Sequence, residues 1–313
     1  MPGDGMKWDR RLRRASELAE TYPFAKQILL FYSQLTAFQK CSYLQFSSAC
    51  VAGSKGQSSL PAALDDVDLS YLLTRWRPFL ALVEHEAPAA LAEFARGLGP
   101  GGPTAATALL RTVWPASPTV AIEALDLDSP LSAGSPRESG RDPDGSGQAA
   151  GGTSATPAPQ PPLSPFERFF ASAFLQPFAE FLADNAEVLA PQVRRPTCPY
   201  CVSPPLVGVL RPEGEGAKRS LICSFCRTEW DYLRIACPAC GECREEKLCV
   251  YTTPMFEAVR VEACDTCKAY IKTVDLARNG RAVPEVDELA AIPLTFWAEE
   301  NGYQKATSNV LFP

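Results

Sequence analysis

Eight cysteines form four C-x-x-C pairs: Cys198/Cys201, Cys223/Cys226, Cys237/Cys240 and Cys264/Cys267. Twenty-one residues separate the first two pairs and 23 the last two, whereas only ten lie between Cys226 and Cys237. One unit is therefore repeated twice: a cysteine knuckle, a hairpin-sized insert and a second knuckle. Two residues between cysteines permit a tight turn that points both sulfurs at one centre, and a second turn laid alongside completes a tetrahedron of thiolates. Four-sulfur sites of this kind suit Zn(II) and rubredoxin-type iron alike. A lone C-x-x-C would equally suit a redox dithiol, but two matched sets favour metal. With no open coordination position, the sites read as structural or redox centres rather than hydrolytic ones.

The remaining candidates for chemistry are sparse. A deaminase-type centre needs a glutamate beside its ligands and usually a histidine among them. The only histidine, His85, lies far upstream in a helical segment and reads as a surface or packing residue. Cys243 extends the third pair to C-x2-C-x2-C, a ferredoxin-like fragment, but the C-x3-C-P that would complete it is missing. Cys243 and Cys249 read as reduced thiols or alternative ligands, and Cys41 and Cys50 as core residues. No nucleophile–base pair, glycine-rich phosphate loop or carboxylate dyad stands out, and Glu245/Glu246 and Glu299/Glu300 read as solvated positions. The expectation is a protein that is not an enzyme.

Elements that can position the knuckles lie between them. Residues 206–210 and 219–222 read as strands of the first unit around a turn at 212–217, and residues 248–251 and 258–262 as strands of the second around 252–255. Pro199 and Pro238 stiffen two of the knuckles. A strand at 269–274, a turn at Asn279-Gly280 and a final helix from about 284 to 300 follow. Upstream, apolar steps of three and four at Leu12, Ala15, Leu18 and Ala19, then Phe24, Ile28, Phe31, Leu35 and Phe38, predict two helices, the second opened by Pro23. A loop at 53–61, helices at 69–82 (kinked at Pro78) and 89–98, and weaker ones at 104–113 and 119–125 are expected next. Residues 126–162 are dominated by Ser, Gly, Pro, Asp and Ala without aromatics, too poor in apolar surface to offset chain entropy, and are expected to be disordered. A helix resumes at Ser164, an N-cap with Glu167 three residues on, carrying Phe166, Phe169, Phe170, Phe174, Phe178 and Phe181 as a core-facing stripe.

Composition narrows the partners. The 313 residues are 46% hydrophobic, enough for two domains, and carry 36 acidic against 30 basic side chains, a net charge of -6. From residue 197 onward 16 acids outnumber 13 bases. Neutralising phosphates needs a basic surplus, so nucleic acid is not an expected partner. No secretory signal and no run of ~18 uncharged apolar residues is seen, so membrane insertion is not expected and the expected compartment is the cytoplasm, where thiols stay reduced.

The stretches Cys198-Pro-Tyr-Cys201, 206–211, Cys223-Ser-Phe-Cys226 with Thr228-Glu-Trp230, and 233–237 resemble the formate dehydrogenase accessory protein FdhE family. The resemblance continues through 261–267, Tyr270-Ile-Lys272, 286–290, Glu300-Asn-Gly-Tyr303 and Asn309, and at the other end through 11–19, Tyr22-Pro-Phe24 and Leu175-Gln-Pro-Phe178. Val202, where a knuckle glycine is common, the 126–162 insert, Cys243 and Cys249 depart from the family pattern. The resemblance implies a cytoplasmic, non-enzymatic maturation factor. It would bind the catalytic subunit of respiratory formate dehydrogenase before export by the twin-arginine route, and a homodimer is compatible with it. The implied ligands are Cys198, Cys201, Cys223, Cys226, Cys237, Cys240, Cys264 and Cys267. They would hold two rubredoxin-type iron sites, with zinc the alternative, and Thr228, Glu229 and Trp230 would sit on a partner surface or around the metal. A rubredoxin-like electron carrier is the alternative function, and a nucleic-acid-binding zinc ribbon the more distant one.

The implied fold class is α+β: an all-helical N-terminal domain, two rubredoxin-like or zinc-ribbon-like β modules and a C-terminal helix. The expected boundaries are a helical domain at 7–125, the insert at 126–163 and a helix with linker completing the helical domain at 164–196. The first metal module is expected at 197–235, the second at 236–283, and the C-terminal helix and tail at 284–313.

Overall fold

A periodic apolar face forms a helix only where it can be covered, and the N-terminal half covers its faces mutually. The computed structural model describes residues 5–49, 64, 70–114, 163–186, 195–307 and 309. The expected loop at 53–61, helix at 119–125, disorder at 126–162, most of the linker and Cys50 lie outside the described residues. Helix α1 (Met6–Thr21) buries Trp8, Arg11, Ala15, Leu18 and Ala19, a stripe at steps of three and four. A 3-10 turn at Pro23–Ala25 leads into α2 (Lys26–Ala49). Phe24, expected on the buried stripe, sits in that turn and is 52% exposed, because the turn rotates it off the helical register.

The expected kinked helix at 69–82 is two helices, α3 (Ser70–Thr74) and α4 (Trp76–Glu86). Pro78 falls in the first turn of α4, where its missing N–H would be unsatisfied anyway. Helices α5 (Ala89–Leu98) and α6 (Gly102–Val113) follow. Helix α7 (Pro165–Asp184) begins at the expected capping box: Ser164 Oγ accepts from Glu167 N–H at 3.2 Å, and Glu167 Oε2 accepts from Ser164 N–H at 2.8 Å. Its aromatic face is the axis of the helical core. Phe169 meets Phe31, Phe174 meets Trp76 edge-on at 4.9 Å, and Phe178 meets Phe46 at 5.2 Å. Each such ring contributes roughly 1.5–3 kcal/mol by leaving water.

The C-terminal half is one sheet. Strands β1 (Pro205–Glu213), β2 (Gly216–Cys223) and β3 (Glu229–Asp231) form the first module. Strands β4 (Leu248–Tyr251), β5 (Val259–Cys264) and β6 (Ala269–Asp275) form the second, and β7 (Gln304–Lys305) pairs with β6. The order is β3-β2-β1-β6-β5-β4, antiparallel within each module. The modules are fused by a parallel β1–β6 joint in which Gly208 faces Thr273, Val209 faces Val274 and Leu210 faces Asp275. A Cβ on Gly208 would lie 2.4 Å from Thr273 Oγ1, so this close approach requires glycine. The expected final helix is two, α8 (Pro284–Ala290) and α9 (Ile292–Glu300), because the chain turns at Ala291 and Pro293 restarts it in the first turn.

A charged seam fastens the two halves. Arg11 on α1 reaches Glu180 on α7 with Nη1 at 3.0 Å from both carboxylate oxygens, and Glu285 on α8 with Nε at 2.5 Å. Arg14 pairs with Asp287 at 2.6 Å. A second buried set joins Lys272 on β6, Glu288 on α8, Lys305 and Asn309. Thus the fold is α+β, with the helical domain, the shared sheet and the C-terminal helices held as one body. Among the described residues no helix is long and apolar enough to cross a membrane.

Candidate metal centres

The backbone of each knuckle dictates where its sulfurs point. In three of the four knuckles the first cysteine donates its N–H to the carbonyl five residues on: Cys198 to Ser203, Cys223 to Thr228 and Cys237 to Glu242, at 2.8–2.9 Å. The residue after each second cysteine turns left-handed: Val202 (φ 62°), Arg227 (φ 58°), Gly241 (φ 76°) and Lys268 (φ 59°). That turn brings the N–H of Val202, Gly241 and Lys268 back to the first cysteine's carbonyl. Only one of the four is the glycine that tolerates this conformation freely, so the metal loop is bought with local strain at Val202, Arg227 and Lys268.

The structure brings all eight sequence-assigned cysteines into two groups of four, each with its sulfurs within 4.8 Å of one another. In the first, Cys198 Sγ lies 3.6 Å from Cys226 Sγ, and Cys201 Sγ 3.3 Å from Cys223 Sγ. In the second, Cys237 and Cys267 stand 3.7 Å apart, as do Cys240 and Cys264. With metal–sulfur bonds of about 2.3 Å, a tetrahedron has edges of about 3.8 Å, so both groups have the spacing of a tetrahedral thiolate cage. Backbone N–H groups already face the sulfurs: Tyr200 donates to Cys198, Phe225 to Cys223 and Ala239 to Cys237, at 3.3–3.4 Å. These donors favour the thiolate, the form a metal requires.

Ionisation within the groups is collective. Burial pushes the Cys223 and Cys226 thiols well up. Against the effect of burial, hydrogen bonds from Cys198, Cys223 and Cys226 hold Cys201 well down. In the second group burial raises Cys237 and Cys267, whereas the backbone N–H groups of Cys267 and Thr266 outweigh burial at Cys264 and lower it. Four sulfurs this close do not all ionise on their own; a cation between them supplies the missing charge. The donor set and its spacing therefore fit a soft or borderline four-coordinate ion.

The two centres are not equivalent. All four cysteines of the first are buried, whereas Cys240 and Cys267 of the second are exposed. The first centre is sealed by the helical domain. Trp114 stands edge-on to Phe225 at 6.0 Å, and Arg227 donates to Gln176 on α7 at 3.3 Å. The second faces solvent on one side, and Cys237 and Cys264 border a cavity of about 260 Å³ on another.

Thr228 Oγ1 lies 3.0 Å from Cys226 Sγ, in contact with a candidate ligand. Glu229 accepts from Arg211 and from Ser220, and Trp230 is buried with Nε1 donating to Arg195 O at 2.9 Å. Cys243 is exposed and directs its thiol to Gly241 O, outside either sulfur group, and Cys249 approaches Asp265. Cys41, expected in the core, is exposed: it falls on the outer face of α2, between the inward Ser42 and Tyr43 and the inward Gln39. His85 is exposed near the end of α4, far from either centre in the chain. Of the left-handed residues only Val202 stood out in the sequence, as a departure from the usual knuckle glycine, and Thr228 was named there as lying on a partner surface or around the metal; Arg227 and Lys268 were missed, although position +1 after each second cysteine was the available signal.

Comparison with known proteins addresses the same region. The family model described as FdhE, central domain, matches residues 197–234, and FdhE, C-terminal domain, matches residues 235–312. A protein named FdhE homolog from Aquifex aeolicus is 34% identical over 146 residues, 46% of this chain and 51% of that protein. One from Pseudomonas aeruginosa is 37% identical over 125 residues, 37% of this chain and 40% of that protein. The aligned part thus spans about half or less of these relatives. The crystal structure of the FdhE protein from Pseudomonas aeruginosa covers 99% of this chain and 97% of its own, with a TM-score of 0.59 at 23% identity, and so shares the fold. Both sulfur groups fall inside the matched stretch, residues 197–312, over which the chain is similar to the central and C-terminal domains of FdhE.

Proposed function

We propose that this chain is an accessory factor for the maturation of formate dehydrogenase, acting in the cytoplasm on the enzyme's catalytic subunit before export. The observation that supports it is the placement of two four-sulfur groups inside the stretches that match the FdhE central and C-terminal domains. In this reading Cys198, Cys201, Cys223 and Cys226 hold one metal ion, and Cys237, Cys240, Cys264 and Cys267 a second. Iron stands ahead of zinc, on the family resemblance. A bound iron would supply one-electron chemistry; zinc would supply rigidity alone. The chain's own residues fix the geometry: the left-handed knuckle turns aim the sulfurs, the N–H groups of Tyr200, Phe225 and Ala239 point at them and would support the thiolates once a cation is bound, and Trp114 and Phe225 shield the first centre from water.

The factor is not itself an enzyme in this account, and the isolated protein should not turn over formate. The test is capture of the immature catalytic subunit by the full chain, together with formate dehydrogenase activity in cells lacking and regaining the gene. Failure of the wild-type chain both to capture the subunit and to restore activity refutes the reading. The exposure of Cys240 and Cys267 favours one second reading, a rubredoxin-like electron carrier, since partly exposed sulfur gives a short path for an electron. That reading expects a reversible colour change on reduction; a colourless zinc protein removes it.

A further inference from the structure

The chain carries a net charge of -6, yet one cleft is ringed by arginines. Arg10, Arg13 and Arg14 of α1 face Arg281, in the turn before α8, across a cleft of about 480 Å³. Arg14 is neutralised there by Asp287 at 2.6 Å and Glu17 at 3.0 Å. The other three, all exposed, form no ion pair or side-chain hydrogen bond among the described residues. Three unpaired guanidinium groups repel one another and lower the stability of the free chain, unless an anion joins them. Guanidinium is also the side chain best suited to bidentate capture of carboxylates.

A second, different surface adjoins this cleft and shares Arg14 with it. It is a depression of about 310 Å³ lined by Tyr22, Pro254, Met255 and Phe256. The rings of Tyr22, Phe24 and Phe256 cluster with centroids 5.0–6.3 Å apart. Phe24 is 52% exposed and Met255 55%, both among the large apolar side chains this protein leaves in water. Tyr22 Oη donates to Met255 O at 3.0 Å, which fixes the floor. The charges lining it are Glu257, exposed on the rim, the Arg14–Asp287 pair at 2.6 Å, and Arg278, which pairs loosely with Asp275 at 3.7 Å. Aromatic and Met anchors beside a polar, charged rim are the anatomy of a protein-docking patch.

Resting on the maturation reading above, we infer that this composite face, between α1 and the second module, docks an acidic segment of the client subunit whose carboxylates enter the arginine cleft and whose neighbouring large apolar side chain covers Phe24 and Met255. The charge sign selects this occupant. A basic leader segment is repelled by Arg10, Arg13 and Arg281. A nucleic acid would gain the arginines, but the chain as a whole opposes it. The face also lies astride the seam between the helical domain and the metal modules, so a docked client touches both halves.

The test is equilibrium binding of the purified immature catalytic subunit to the full, metal-loaded chain at low and at high salt. The variants are R10E/R13E/R281E, its neutral counterpart R10Q/R13Q/R281Q, and F24S/M255S. All five substituted positions are exposed, and the half-buried Arg14 is left intact, so metal content and helicity are expected to match the wild type. The charge variants should bind at least ~10-fold more weakly at low salt and lose most of the wild-type salt dependence, because rim charges act through the screened field. The apolar variant should bind at least ~10-fold more weakly with its salt dependence kept. Wild-type binding that none of the three variants weakens overturns this docking face and leaves the maturation reading standing. No binding by the wild type sinks the maturation reading itself. Tighter arginine-dependent binding to RNA or to anionic vesicles than to the subunit overturns the choice of occupant.

Discussion

Replacing Arg11 by methionine should separate the two halves of the molecule energetically. Arg11 is 5% exposed and satisfies two carboxylates at once, Glu180 at 0% and Glu285. After R11M, Glu180 keeps Lys7 at 3.1 Å and Gln176 Nε2 at 2.9 Å, whereas Glu285 keeps no ion-pair partner among the described residues. The loss is therefore dominated by Glu285, one buried carboxylate stripped of its cation, a change that costs about 3–5 kcal/mol. Although burial opposes it, Arg11 and its neighbours hold both carboxyls below the ordinary range in the native protein. Carboxyls lowered in this way contribute stability above their unfolded pKa, and lose it as pH falls through the folded one. The R11M penalty should thus be full at neutral pH and shrink as pH falls, starting above the ordinary glutamate value of about 4.3, because burial makes the orphaned carboxylates take up protons more readily. Urea unfolding followed by tryptophan fluorescence, at neutral and at acid pH, reads both numbers. Adding E285Q to R11M removes the stranded charge and should recover about 1–3 kcal/mol. A neutral-pH loss under ~1 kcal/mol, or one that E285Q does not relieve, would refute the claim that this seam is a buried, coupled ion network.

Other substitutions probe the sheet and the knuckles. G208A should cost about 1–3 kcal/mol by overpacking the β1–β6 joint, since its Cβ meets Thr273 Oγ1 at 2.4 Å; thermal unfolding of the metal-loaded protein reads it. V202G should relieve about 1–2 kcal/mol of left-handed strain, offset by roughly 0.5–1 kcal/mol of added chain freedom, and so raise the unfolding midpoint slightly. A chelator should strip the second centre before the first, because Cys240 and Cys267 are exposed and the first four cysteines are buried; timed metal release from C201S and C240S assigns the phases. The Lys272–Glu288 pair predicts acid lability: opposing burial, Lys272 and Lys305 hold Glu288 down to about 2, so its contribution is present above about pH 4.3 and is lost toward pH 2. E288Q should flatten that part of the stability–pH curve.

The candidate site was the most legible part of the chain, because C-x-x-C spacing constrains geometry locally and the duplication is visible without any fold. The strands between the knuckles were legible for the same reason, although β1 and β2 pair on to Glu213 and Gly216, through most of the turn expected at 212–217, and the short β3 was missed. What escaped was tertiary. Nothing in the alternation of Leu206 to Leu210 announces that Gly208 will lie against Thr273 and fuse two modules into one sheet, because parallel pairing between distant strands leaves no local mark. The break between α8 and α9 was signalled by Pro293, yet the surrounding apolar run suggested continuity. Cys41 and Phe24 were misplaced through the assumption that a small or aromatic apolar residue near a helical stripe faces inward. Arg11 reads in sequence as one of a run of exposed basic residues; only the arrival of Glu180 and Glu285 from remote helices makes it a buried hub.

The inequivalence of the two centres likewise depends on what covers them. The knuckle sequences are matched, and the difference arises because Trp114 and α7 close over Phe225 and the first group, while no described element closes over Cys240 and Cys267. A metal held by the exposed sulfurs would exchange and meet partners more readily than one held by the sealed group.

The most direct test is metal stoichiometry by elemental analysis with an absorption spectrum, on protein purified without oxygen, for the wild type, C201S, C240S and C243S. Two tetrathiolate centres predict two metal ions per chain in the wild type and in C243S, and one in each of C201S and C240S, with any thiolate-to-iron absorption halved in step. One ion or none in the wild type, or a loss caused by C243S equal to that caused by C240S, would contradict the assignment of eight ligands in two independent cages.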